Sequence, residues 1–401
     1  VWLLASAGIV SVGGFLYWKQ ATTQATPEII APVLALNGLI GILSILGALG
    51  FPEIVIRYRN QINLYKVKIW FKMLTASLLA ILLCSFFAVQ LLAPNVTFHS
   101  WLRPILLTIL IAIPATFSSY FDSANIANQH SRNVLFASIA SVAVKLGFIV
   151  SPIEKSSVNL LLNISLAATV YLLVSAGGFL LSKRIESVSK DSEKLSSLLG
   201  YSSVNVISSA TSQLTVSILP FIILTRSGAS SSATASFLFV LMAAISTPNA
   251  VFSKLFLSES SNSPEKFNAI LKSRFTQSLV LTVSGVLVLE LVADQLMGLF
   301  GNVYRELGAG PLRILGAASV VAISNYFIDS YLNFRKARVA YLSVNIFGSF
   351  ILLVFTWEFS QFGLLSMAMG WLLAQVVYTL FGLLMIRRFA KGRISDQLEL
   401  A

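Results

Sequence analysis

Apolar residues run through this chain in unbroken stretches separated by short polar connections, without the strict alternation that marks a half-buried strand. Twelve such stretches stand out, at 1–18, 28–50, 69–93, 104–122, 133–151, 158–181, 198–224, 233–253, 275–296, 311–330, 339–357 and 363–386. A hydrocarbon core of about 30 Å needs about 20 helical residues to cross it, whereas a membrane barrel would show alternating strands of about ten. The pattern therefore predicts an all-α polytopic membrane protein with about 12 transmembrane helices.

Composition agrees, since 56% of residues are hydrophobic, 11% are charged and the mean hydropathy is +0.82. A soluble domain averages about 25% charged residues. Charge placement then sets the orientation. Of the 28 lysines and arginines, 21 fall in or at the edge of every second connection and in the C-terminal tail, 6 fall in or at the edge of the alternate connections, and Lys145 alone lies well inside a span. Cytoplasmic loops carry the excess of positive charge, so both termini are expected in the cytoplasm. This bias accounts for the net charge of +12 without a nucleic-acid partner. The single cysteine, Cys84, sits inside the third span, and His99 and His130 fall on opposite sides of the membrane. Neither a disulfide nor a metal site is expected, and no cofactor is implied. The chain opens on Val1 inside an apolar run and has no initiator Met, so residues are expected to precede it, and no signal-peptide cleavage pattern follows the run.

The stretch SKRIESVSKDSEKL is the one extended polar segment inside the chain, and similar features recur on either side of it in the same order. The second span ends FPEIVIR and the eighth ends TPNAVFSK, each with a proline near its cytoplasmic end. The fourth opens LRPILL and ends SYFDSANIANQHSR, while the tenth opens LRILGA and ends NYFIDSYLNFRKAR, matching Arg103 with Arg313 and Asp122 with Asp329. The expected organisation is an N-terminal six-helix bundle at 1–181, a cytoplasmic linker at 182–197, a C-terminal six-helix bundle at 198–386 and a cytoplasmic tail at 387–401. An even number of spans in each half makes the repeats parallel, related by an axis along the membrane normal, with a cavity expected between them.

The Gly-rich second span running into LGALGFPEIVIRY, the segment FSSYFDSANIANQHSRN, the polar seventh span YSSVNVISSATSQL and the proline of STPNAVFSKLF carry a family resemblance. Over nearly its whole length the chain resembles Wzx-type polysaccharide and O-antigen flippases of the multidrug/oligosaccharidyl-lipid/polysaccharide (MOP) superfamily. The resemblance implies two pseudo-symmetric six-helix bundles in a MATE-like arrangement. It also implies export of an undecaprenyl-pyrophosphate-linked oligosaccharide across the bacterial inner membrane, as in O-antigen and lipopolysaccharide synthesis, with polysaccharide polymerase and chain-length proteins as partners. Such a protein breaks no covalent bond and is not an enzyme. The chain departs from the pattern at the seventh span, where no acidic residue follows Gln213. A cation-coupled multidrug antiporter of the same superfamily is the alternative.

Moving a sugar chain and a pyrophosphate through hydrocarbon calls for a polar lumen and a cation. Lys145 is the candidate cation. A charge at a helix centre costs about 2.5–3.5 kcal/mol on insertion scales, so either Lys145 faces the substrate or it snorkels to the outer interface. Asp122 and Asp329, at matching places in the two halves, are candidates for coupling to a proton or sodium gradient, or else they pair with Arg132 and Arg338. Ser202, Asn205, Ser209, Ser212, Gln213 and Ser217 recur at steps of three or four and draw a polar stripe on the seventh span. That stripe either bonds sugar hydroxyls or packs against Ser6, Gly13 and Gly14 of the first span. Asn37, Asn163, Asn325 and Gln375 are weaker candidates of the same kind. Arg103 and Arg313 stand where the emerging pyrophosphate would arrive, or anchor their helices at the interface. Pro52, Pro114 and Pro248 offer bends, and Tyr17, Trp18, Trp101, Tyr304 and Trp357 fit an outer aromatic belt.

Overall fold

Apolar stretches become helices throughout the computed structural model, which describes residues 2–50, 52, 55, 75–79, 81–82, 102–128, 130–151, 153, 155–182, 195–335 and 337–399. Most of the third span, with Cys84, and the linker at 183–194 lie outside the described residues, as do His99 and Trp101. The helices are α1 (Trp2–Gln24), α2 (Pro27–Ala48), α3 (Leu102–Ala127), α4 (Ser131–Val150), α5 (Ser157–Leu181), α6 (Leu195–Asn262), α7 (Phe267–Gly298), α8 (Asn302–Phe334), α9 (Arg338–Ser360) and α10 (Leu364–Glu399). Among the described residues there is no strand. Among the described residues nine segments, two of them within α6, are long and apolar enough to cross a membrane. With α1 and α3, which coincide with the first and fourth apolar stretches, they account for eleven of the twelve expected spans.

The seventh and eighth spans join without a loop. They form the two arms of α6, broken at Gly228, whose φ of 82° and ψ of 178° interrupt an otherwise helical run. A residue with a Cβ rarely adopts that φ, and glycine does so at no steric cost. Pro248, a candidate bend, leaves the backbone helical on both sides, so the break within α6 belongs to the glycine. At the other end of the length scale, the turn between α4 and α5 is held by a cation. Lys155 Nζ donates to the carbonyls of Phe148, Ser151 and Ile153 at 3.0, 2.9 and 2.7 Å, closing the end of α4 where the helix dipole favours positive charge.

The chain divides into two compact units, Val1–Phe221 and Ile222–Ala401. In the first, α5 packs along both α3 and α4, α4 lies on α1, and α2 lies on α3. Ser6 of α1 bonds Ser138 of α4 at 2.7 Å, and a Cβ at Gly13 would fall 2.4 Å from the Val142 side chain. Ser6 and Gly13 of the first span therefore serve its contact with α4, whereas nothing lies within 4 Å of a Cβ at Gly14. In the second unit, α10 packs on α8 and α9, and α8 also packs on α7. Asn249 of α6, fully buried, ties three helices together there. Its amide donates to the Ser319 carbonyl of α8 at 3.0 Å, and its oxygen accepts from Ser278 and Thr282 of α7 at 2.8 and 2.6 Å.

Lipid-facing stripes are plain on α5, where Leu162, Leu166, Leu173 and Leu180 are exposed at helical spacing. The aromatic belt is thinner than the sequence suggests. Tyr17, Trp18 and Tyr304 are buried within the protein, whereas Trp357 is exposed and carries the Arg226 guanidinium 3.9 Å from its ring centre.

Candidate functional site

A carboxylate stands in the wall of each unit, and the two surroundings are built to one plan. In the first unit Asp122, on the last turns of α3, faces Tyr171 and Ser175 of α5. Those two are four residues apart and so share one helix face. Tyr171 Oη donates to Oδ2 at 2.7 Å and Ser175 Oγ to Oδ1 at 2.6 Å. The network continues through Asn125, whose amide donates to the Ser175 carbonyl at 3.0 Å and whose oxygen accepts from Asn133 of α4 at 2.9 Å.

In the second unit Asp329 of α8 faces Tyr378 of α10, again 49 residues further along the chain. One constant shift carries Asp122 to Asp329, Tyr171 to Tyr378 and Ser138 to Asn345, and it also carries the first residues of α4 and α5 onto those of α9 and α10. The three-helix groups α3–α5 and α8–α10 are thus copies in register. Asn345 Nδ2 donates to Asp329 Oδ1 and to the Tyr341 carbonyl, both at 3.0 Å. Beside them Asn325 and Gln375 are joined at 2.6 Å, with Thr379 donating to Asn325 at 2.8 Å. Asp122 and Asp329 are both half-buried, and among the described residues neither forms an ion pair. Arg132 and Arg338 do not reach them.

Lys145 lies on α4 one helical repeat beyond Ser138, on the side turned to α1. It is half-buried and, among the described residues, makes neither a hydrogen bond nor an ion pair. Arg313 differs. It is bound by Asp294 and lies 3.6 Å from Glu290, two acids one turn apart on α7, so its charge is already balanced. Asn37 is the one exposed residue of α2 between Ile29 and Ala48, on a helix whose apolar side chains are otherwise buried or half-buried. A helix facing lipid would show the reverse. Gln213 bonds Ser217 at 3.2 Å, and both lie against α2, where a Cβ at Gly41 would sit 3.1 Å from the Gln213 amide and one at Gly38 would sit 3.1 Å from the Ser217 carbonyl. This end of the polar stripe packs on the second span, and Ser6 and Gly13, considered as its partners, meet α4. The side chains of Arg103, Ser202, Asn205 and Ser209 lie outside the described residues.

Tyr171 and Tyr378 are the functional candidates that motif reading misses. Their signal is the matched pair TVYLLVS and VVYTLFG, which stand at one distance from the two aspartates.

No protein-family model and no curated protein matches the chain. Solved structures do. One described as the lipid II flippase MurJ in an inward closed conformation matches with a TM-score of 0.70 and 12% identity, over 96% of this chain and 87% of its own. An outward-facing multidrug resistance MATE family transporter of the MOP superfamily matches with a TM-score of 0.66 and 15% identity, over 100% of this chain and 97% of its own. An inward-facing structure of such a transporter gives 0.64 and 16%, over 95% and 96%. The chain therefore has a MATE-like, all-helical membrane fold.

Proposed function

We propose that this protein is a flippase that carries an undecaprenyl-pyrophosphate-linked oligosaccharide, a repeat unit of O-antigen or another surface polysaccharide, across the bacterial inner membrane by alternating access. The observation that carries this reading is Lys145, an intramembrane amine without a protein counter-charge among the described residues. Intramembrane charges mark substrate or ion pathways by default, and an unpaired cation suits an anionic head group. A transporter of cationic drugs would instead present a carboxylate free of hydrogen-bond donors as well as of ion pairs. Here Asp122 is held by two hydroxyl donors and Asp329 by an amide.

Asn37 supports the same reading, because sugar hydroxyls need accessible amide or hydroxyl partners; Asn205 and Ser209 of the seventh-span stripe belong to the same proposal, while Gln213 packs against α2. The protein's task is to keep the pyrophosphate paired while the polyprenyl tail stays in lipid. Coupling to a proton or sodium gradient would run through Asp122 and Asp329, each elementary charge moved with the field contributing about 2.3 kcal/mol per 100 mV. Both termini lie in the cytoplasm in this reading, and the polymerase and chain-length proteins act on the exported unit.

The test uses cells lacking the gene. The reading expects lipid-linked oligosaccharide to accumulate on the cytoplasmic leaflet and surface polysaccharide to vanish. Both should be restored by the wild-type chain and by Lys145→Arg, and neither by Lys145→Ala expressed at an equal level. Normal surface polysaccharide with altered sensitivity to cationic drugs would replace the flippase with the antiporter.

A further inference from the structure

We infer that Arg335, seated among the rings of Phe267, Tyr331 and Phe334, is a binding site for a lipid phosphate at head-group depth, in the connection between the tenth and eleventh spans. Its guanidinium carbon lies 5.3, 5.5 and 5.7 Å from the three ring centres, within the range of cation–π attraction. The rings are themselves fixed. Phe267 stacks on Phe334 with centroids 5.0 Å apart, and it meets Tyr331 and the fully buried Phe256 edge-on at 5.8 and 5.4 Å. The cage orients the cation and leaves its hydrogen-bonding capacity unused. Among the described residues the Arg335 side chain has neither a hydrogen bond nor an ion pair, and Nε is sealed from solvent without a partner while the two Nη atoms are not sealed. Of the acids before α7, Glu259 is bound by Arg274 and Glu265 is exposed, and neither pairs with Arg335. An arginine held in this way presents a planar fork of donors that matches the oxygens of a phosphate.

The first unit shows that the turn itself does not need this cage. The shift that relates the two three-helix groups carries Ala124, Ala127 and Asn128 to Tyr331, Phe334 and Arg335. The backbone is the same at both places. Asn128 N–H donates to the Ala124 carbonyl at 3.0 Å and Arg335 N–H to the Tyr331 carbonyl at 2.9 Å, then His130 N–H donates to Asn125 at 2.7 Å and Ala337 N–H to Leu332 at 3.0 Å. Three side chains therefore differ together where the fold does not, and the two rings and the guanidinium serve something other than the turn. Location selects the ligand. Lys336 and Arg338 follow in the sequence, Lys266 adjoins Phe267, and both Lys266 and Arg338 are exposed, so the surroundings are cationic. Apolar surface begins at once, because Val339 is 79% exposed on the first turn of α9. A cationic fork at the edge of a lipid-facing surface lies where lipids carry their phosphates. A phospholipid and a lipid-linked diphosphate share that chemistry.

Only the diphosphate source rests on the flippase reading, and the phospholipid source holds or fails whatever the protein carries. The experiment is thermal unfolding of the full chain in phosphate-free maltoside micelles, with diacylglycerol, phosphatidylglycerol, undecaprenyl diphosphate or inorganic phosphate added, paired with equilibrium binding of the two radiolabelled anionic lipids. Wild type and Arg338→Gln, which removes an exposed neighbouring charge, are expected to gain Tm with an anionic lipid and not with diacylglycerol, and to bind that lipid saturably. Arg335→Gln should lose the gain and bind about tenfold or more weakly. Arg335→Lys keeps the charge without the fork and should fall between the two. A gain with phosphatidylglycerol supports the proposal and names the bilayer as the source, and a gain with undecaprenyl diphosphate alone supports it and names the lipid-linked substrate. A wild type indifferent to both lipids overturns it, as does a response to inorganic phosphate alone. Equal losses in Arg338→Gln and Arg335→Gln overturn it as general charge attraction. An Arg335→Gln chain of lowered Tm that keeps the full lipid response overturns it as well, and leaves the cage a structural staple between α7 and α8.

Discussion

Tyr171 donates a 2.7 Å hydrogen bond to the carboxylate of Asp122 from a position 49 residues further along the chain. The bond joins α5 to α3 and takes part of the load of keeping a half-buried carboxylate in a membrane span. Hydrogen bonds to charged groups contribute about 1.5–3 kcal/mol, at the lower end for a partly exposed group. Tyr171→Phe keeps the ring and removes that donor. It is expected to lower stability by about 1–2 kcal/mol in detergent, read as a drop in Tm. Ser175→Ala should cost a similar amount, and the double variant less than the sum, because the two hydroxyls share one acceptor group. Full additivity would mean that the hydroxyls act on separate features of the fold.

Asn249 gives a prediction of the same kind in the second unit without any charge. Its three bonds hold α6 to α7 and α8, and Asn249→Ala would leave the Ser278 and Thr282 hydroxyls and the Ser319 carbonyl without that partner. Interhelical hydrogen bonds in membranes average about 0.6 kcal/mol each with a maximum near about 1.7, so a loss of about 1–3 kcal/mol is expected. Denaturation in mixed micelles measures it, and Asn249→Leu should be no better, since a larger apolar side chain leaves the same groups unbonded.

Gly348 ties packing to the hydrogen bonds around Asp329. A Cβ there would meet the Tyr378 ring at 2.6 Å, so Gly348→Ala must displace the tyrosine that stands over Asp329. Overpacking costs about 1–3 kcal/mol. The expected outcome is a lowered Tm. Gly285→Ala is the control, because nothing lies within 4 Å of its added methyl and a helical alanine is favoured over glycine. Equal Tm values for the two variants would mean that the Tyr378 ring does not bear on Gly348.

The fold was legible in the sequence because its dominant constraint is local. Each span must be long and apolar by itself, and YFDS and YFIDS display the two aspartates directly. Their partners were not legible, because a tyrosine inside TVYLLVS reads as one more large apolar residue until its distance from Asp122 is compared with that of Tyr378 from Asp329. Matching Arg103 with Arg313 departs by three residues, nearly one helical turn, from the shift relating the aspartates. On a helix such a slip keeps the face and hides the error. Contacts between helices have no spacing rule of this kind. Hence Ser6 and Gly13 could not be assigned to α4, nor Gln213 and Ser217 to α2, from their order alone.

Arg313 and Lys145 make opposite predictions. Both are cations on the outer side of the expected topology, but Arg313 is partly exposed and shared between Asp294 and Glu290. Exposed ion pairs contribute about 0–1 kcal/mol, and an anion arriving at Arg313 would have to displace two carboxylates already in place. Arg313→Gln is therefore expected to shift stability by less than about 1 kcal/mol and to leave export of lipid-linked oligosaccharide at the wild-type level. Lys145→Ala, which breaks no ion pair among the described residues, should stop export without lowering Tm. Measuring leaflet accumulation and unfolding side by side for both variants separates the roles. Export lost in Arg313→Gln at unchanged stability would place the outer anion contact there, and Lys145 would revert to a lysine that snorkels to the interface.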